Sequence, residues 1–159
     1  MHITRYADIG LRILIYLAGP GNAPERTPVT AGEIARQFDI PQNHLVKVAA
    51  QLARAGWIEA TRGRNGGLAL RADPRTLRIG TVLRELEGEV ELIDCAALDC
   101  RLQANCLLRS ALANGLRAFY TTMDAYTLAD IAGGAVGAQI IGMHREFTRI
   151  SPVAVGTTG

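Results

Sequence analysis

The three cysteines of this 159-residue chain all fall within residues 95–106, CAALDCRLQANC, with the spacing Cys95-x4-Cys100-x5-Cys106. Thiolates are the soft donors that hold zinc and iron–sulfur clusters. Both centres want four ligands, so three thiols leave one position to be filled from elsewhere. The spacing leaves three chemistries open. Structural zinc favours tighter C-x2-C pairs. A thiol redox switch could use Cys106, which stands just before a helical pattern. An iron–sulfur cluster suits the wider spacing, because a loop can wrap its larger core. Asp94, Asp99 and Arg101 interleave the cysteines and mark a polar loop. The odd cysteine count argues against a disulfide framework, and the opening MHITRYADIG lacks a signal-peptide pattern, so the expected compartment is the cytoplasm.

A second group of residues with chemistry to offer is basic and polar. Residues 1–78 carry eleven Lys and Arg against six Asp and Glu, whereas residues 79–159 carry six against nine. A basic first half points to contact with a polyanion there, and an acidic second half argues that the contact does not extend further. Hydrophobic residues at 48% and charged residues at 20% are ordinary for a globular protein. No apolar run reaches the roughly 18 residues of a membrane span, and no membrane partner is expected.

These residues must be positioned by elements, and the N-terminal half has a legible order. Ile9, Ile13, Leu14 and Leu17 keep helical spacing between Thr4 and Ala18. Thr30 and Glu33 form a capping-box pattern that opens a short helix ending near Phe38, with the Glu33 side chain expected to reach back to the cap. In QNHLVKVAAQLARAG, the residues Leu45, Val48, Ala49 and Leu52 form a buried stripe, with Pro41 before it and Gly56 after it. The opposite face offers Gln42, Asn43, His44, Lys47 and Gln51, side chains able to reach base edges in a major groove. A hairpin follows: Trp57, Ile58 and Ala60 in one strand, Leu68 to Leu70 in the other, and the turn signal RNGG between them. Arg62, Arg64 and Asn65 ride on that hairpin, where they can meet phosphate or the minor groove. Two short helices followed by an arginine-tipped hairpin is the order of a winged helix-turn-helix, and residues 1–78 are read as that DNA-binding domain.

Residues 79–132 continue with a stripe of Ile79, Val82, Leu83 and Leu86 closed by Gly88, then the cysteine loop, then a long helical pattern from about Ala104 to Tyr126. Such a helix would run on the order of 30 Å. Its apolar face (Leu108, Leu112, Leu116, Phe119, Met123 and Tyr126) exceeds what the first half can cover, so a second copy of the chain is expected against it. The fold class is therefore mainly α with a small β-hairpin wing, a winged helix-turn-helix plus a long dimerisation helix. A last short helix is expected from Thr127. Residues 133–159, glycine-rich and without clear periodicity, are read as a loosely ordered tail.

The segments ITRYADIGLRILIYLA, HLVKVAAQLARAGWIEATRGRNGGLAL, LRIGTVLRELEG and YTLADIA, with the three cysteines, resemble the iron–sulfur winged-helix transcription repressors of the NsrR/IscR type. The likeness spans residue 1 to about residue 132 and is closest to the nitric-oxide-sensing NsrR branch. It implies a homodimeric repressor of a palindromic DNA operator, carrying a 4Fe–4S cluster (2Fe–2S being the alternative) and releasing DNA when nitric oxide nitrosylates the cluster or the cluster is lost. It implies Cys95, Cys100 and Cys106 as cluster ligands. IscR-like relatives carry a His three residues after the third cysteine, where this chain has Arg109. NsrR-like relatives use an Asp from the first helix of the other subunit, which corresponds to Asp8 here; apart from the resemblance, Asp8 reads as an ion pair with Arg12 one turn on.

Two other readings remain open. A sensor of iron or cluster supply could use the same cysteines. An iron–sulfur carrier or electron-transfer protein would keep the cysteines but needs no RGRNGG wing. No paired acid–base or nucleophile constellation is present, so no enzyme is expected.

Overall fold

The computed structural model describes residues 2–19, 28–61, 63, 66–88, 91–95, 97, 99–102 and 105–150. Thr4 opens the first helix, α1 (Arg5–Ala18), its hydroxyl accepting from the Ala7 N–H at 3.2 Å. Ala7, Ile9, Ile13, Leu14, Tyr16 and Leu17 turn inward from it. Thr30 caps α2 (Ala31–Gln37) in the same way, accepting from the Glu33 N–H at 3.1 Å. The Glu33 carboxyl does not complete the expected capping box. It is buried and accepts instead from the Tyr16 hydroxyl of α1.

After Asp39, which takes a left-handed φ of 51°, α3 (Gln42–Arg54) buries Leu45, Val48, Ala49 and Leu52, and Gly56, φ 78°, follows its C-cap Ala55. The hairpin pairs β1 (Ile58–Thr61) with β2 (Gly67–Leu70) antiparallel, in the register Ile58↔Leu70 to Thr61↔Gly67. Val29, in the segment before α2, bridges to Leu68, and its carbonyl accepts from the Leu68 N–H at 2.7 Å, which seats the hairpin against the helices. These helices and the hairpin make the winged helix-turn-helix, and the described residues are mostly helical with one two-stranded sheet.

The second half begins with α4 (Ile79–Glu87), which packs against α1 through Val82, Leu83 and Leu86. The cysteine loop leads to α5 (Leu107–Met123), which rests on α4. A short α6 (Leu128–Ala132) returns to α1, opened by a full capping box between Thr127 and Asp130. Leu128, Ala132 and Ile140 join the same buried cluster as α1, α2 and α3, so a single core runs through both halves.

Residues 134–150 depart from the reading of a loosely ordered tail: they form α7 (Gly134–Ile150), packed on α1 and α6. The buried positions of α7 are Gly137, Ile140 and His144, a stripe that contains a single aliphatic side chain. A search for apolar periodicity passes over such a stripe. Residues 151–159 lie outside the described residues.

Candidate nucleic-acid interface and cysteine loop

The N-terminal end of α3 carries the expected polar readers. Gln42, Asn43, His44 and Lys47 are all exposed on the face opposite the buried stripe, and the Asn43 side chain accepts from the His44 N–H at 3.0 Å. Val46 shares this face and is 49% exposed. Its position out of phase with the 45/48/49/52 stripe is the sequence signal that marks it as outward-facing. An exposed branched apolar side chain beside polar readers can meet a thymine methyl.

Gln51 differs from the expectation. It is half-buried, its Oε1 accepts from the Tyr6 hydroxyl at 3.1 Å, and its Nε2 donates to the Glu85 carbonyl at 3.0 Å. Its position near the end of α3 turns it toward α1 and α4, so it ties three helices together and does not join the exposed readers. Of the wing residues, Arg62, Arg64 and Asn65 lie outside the described residues; the wing turn itself includes a Gly66 N–H donating to the Gly63 carbonyl at 2.9 Å.

In the cysteine loop Cys95 is buried, while Cys100 and Cys106 are half-buried, and all three are free thiols. The Cys100 N–H donates to the Cys95 carbonyl at 3.1 Å, closing the first half of the loop, and Asp99 beside it has a left-handed φ of 44°. Asp94 accepts from the Ala97 N–H at 2.8 Å. Cys106 is the N-cap residue of α5. Among the described residues no three His, Cys, Asp or Glu side chains are gathered so as to hold one metal ion. The donor types fit a soft metal centre, but the single chain does not bring them together.

Asp8 is half-exposed on α1, and both its carboxylate oxygens accept from Arg12 Nε, at 3.0 and 2.9 Å. Arg109, at the place of the histidine in IscR-like relatives, lies 3.7 Å from Glu91.

The long helix has no buried residue along its 17 positions. Leu107 and Leu108 are 82% and 59% exposed. Between α5 and residues 91–93 runs an open groove of about 350 Å³, floored by Leu92, Ile93, Leu112 and Leu116 and edged by Arg109 and Arg117. Among the described residues no helix is long and apolar enough to cross a membrane.

The sequence pattern of Rrf2, described as an iron-dependent transcriptional regulator, matches residues 3–134. Among solved structures, the oxidised form of CymR from Staphylococcus aureus is 24% identical with a TM-score of 0.66, over 85% of this chain and 98% of that one. CymR of B. subtilis, described as its global cysteine regulator, is 25% identical with a TM-score of 0.63, over 83% and 96%. IscR of T. potens is 20% identical with a TM-score of 0.64, over 100% and 94%.

Proposed function

Because the chain belongs to the Rrf2 family of transcriptional regulators, we propose that it is a homodimeric, DNA-binding repressor that senses nitric oxide through an iron–sulfur cluster. Gln42, Asn43, His44 and Lys47 read base edges of a palindromic duplex, and Arg62, Arg64 and Asn65 on the wing hold its backbone or minor groove. The observation that carries the reading is α5: a 17-residue helix without a buried residue, with a cysteine at its N-cap. A second copy covers that face and sets two α3 helices about one duplex turn apart.

Cys95, Cys100 and Cys106 would hold the cluster with Asp8 from the other copy, and the group would supply an oxygen-ligated iron open to attack by nitric oxide. The thiols and the carboxylate suit this by donor type; since one chain does not gather them, the centre needs the second copy and a rearranged loop. Asp8 leaves little behind in joining it, because an exposed i,i+4 ion pair such as that with Arg12 contributes only about 0.3–0.5 kcal/mol. Tyr6, two residues before Asp8, donates to Gln51 of α3, so a pull on α1 reaches the reading helix.

A second reading draws on the three unpaired thiols, which among the described residues are not gathered as ligands of one ion: a regulator that responds by oxidation of its cysteines. A sensor of iron or cluster supply is the further alternative. The test is the visible spectrum of anaerobically purified protein through a nitric oxide titration. A brown cluster band that gives way to iron-nitrosyl absorption, together with loss of DNA binding over the same range, supports the proposal. A colourless protein that iron and sulfide cannot reconstitute removes it and leaves the thiol reading. A cluster unaltered by nitric oxide leaves sensing of iron or cluster supply.

A further inference from the structure

The buried polar side chains among the described residues are Glu33, Thr127 and His144, and two of them meet. Glu33 on α2 is 1% exposed and His144 on α7 is 5% exposed. His144 Nδ1 lies 2.7 Å from Glu33 Oε1, and the Tyr16 hydroxyl of α1 donates to the same oxygen at 2.6 Å. In the tautomer that carries its proton on Nδ1, the His144 ring donates to this oxygen. Burial, with the carboxylate's hydrogen bond and charge, pushes the Tyr16 pKa up and keeps its hydroxyl a donor. A carboxyl taken out of water is costly unless its oxygens are met. Here the donors come from two other helices, so Glu33 is satisfied only while α1, α2 and α7 stay together.

Other contacts reinforce the seam. Gln37 Nε2 of α2 donates to the Met143 carbonyl at 3.2 Å, and the Arg36 guanidinium stands 5.9 Å from the centre of the Phe147 ring. Ile140 presses so closely on Gly19 that a Cβ at that glycine would lie 2.7 Å from its Cγ2. This helix starts at Gly134, where the family match ends.

We propose that α7 is a clamp on the helix-turn-helix, with His144 as a positioning residue that holds Glu33, and with it α2, against α1. Only four residues separate α2 from α3, and within them the Ile40 N–H donates back to the Ala35 carbonyl at 2.9 Å, so a shift of α2 moves the reading end of α3. The proposal rests on the reading of α2 and α3 as the DNA-binding element, and two separate readouts test it.

The first is amide hydrogen exchange of the full-length chain. His144→Leu, similar in bulk but without a donor, is expected to lower protection of the α2 and α3 amides by about tenfold or more. His144→Asn, whose side-chain N–H can take the place of Nδ1, is expected to recover most of it. Gly19→Leu displaces Ile140 while leaving every polar group in place, and should reproduce the loss even if His144→Leu fails to fold. Unchanged α2 and α3 protection while α7 exchanges freely overturns the clamp, and His144→Asn matching His144→Leu removes His144 from the role. The second readout is affinity for a duplex that the wild-type chain selects from a random pool, expected to fall about tenfold in His144→Leu with the preferred sequence kept. Lost protection with unchanged affinity also overturns the proposal. A wild-type chain that selects no duplex sinks the DNA reading instead, and the exchange result still decides the clamp.

Discussion

At the scale of single residues, α3 holds Gln42, Asn43, His44 and Lys47 exposed at its N-terminal end and Gln51 half-buried near its other end. Lys47 is exposed among the readers and offers a mobile charge. Lys47→Ala should weaken binding to the selected duplex and reduce the slope of log affinity against log salt by about one. An affinity loss with an unaltered slope would place the ammonium away from phosphate. Gln51 stands three residues below the buried Val48 and is held by Tyr6 and Glu85. Gln51→Ala removes a part-buried hydrogen bond from Tyr6 and an exposed one to Glu85, and should lower stability by about 1 kcal/mol. It should weaken DNA binding without changing which bases are preferred, and a changed base preference in a repeated selection would return Gln51 to the readers.

Among the elements, α6 shows how a five-residue helix is made to matter. Its first turn is a reciprocal cap: the Thr127 hydroxyl accepts from the Asp130 N–H, while the Asp130 carboxylate accepts from the Thr127 N–H at 2.8 Å. The Leu128 N–H donates to the Leu77 carbonyl and Thr127 bridges Arg78, so the cap also ties α6 to the start of α4. Thr127→Ala should cost about 1 kcal/mol of stability, read as a lower melting temperature. The hydrogen bonds from Thr127, the backbone N–H foremost, hold the Asp130 carboxyl below the usual carboxylate range. The sign follows: the stabilisation is present above that ordinary range and is lost as pH falls through the lowered value. Thermal melts of Asp130→Asn should therefore show a shallower acid-side decline than wild type, and an equal decline would assign the loss to other carboxylates.

For the whole molecule, the apolar outer face of α5 is the feature a lone chain leaves unresolved. Leu108, at 59% exposed, packs on little within its own chain. Leu108→Glu should leave the monomer's melting transition nearly unchanged, since exposed positions contribute little to folding, and should lower the sedimenting mass from two chains to one. A dimer that survives Leu108→Glu and the parallel Leu112→Glu would move the interface off α5. The charge division agrees with the same arrangement: the net positive half holds α3 and the wing, and the net negative half holds α5.

Amino-acid order alone was enough for α1, α3 and α4, because each buries a stripe of large aliphatic residues whose period marks the element, and for the hairpin, because RNGG marks its turn; Thr4, Thr30, Gly56 and Gly88 mark helix ends. Order along the chain also placed the three thiols in one loop and the polar readers on one helix end. Tertiary structure decided what periodicity does not encode. It turned Glu33 away from its cap toward Tyr16 and His144, because a carboxyl inside the core needs donors from other helices. It drew Gln51 into a junction of three helices, and it made α7 a helix whose buried positions are Gly137, Ile140 and His144. These contacts join residues up to 111 positions apart, and a distance of that kind in sequence becomes a contact only when the shared core forms around it.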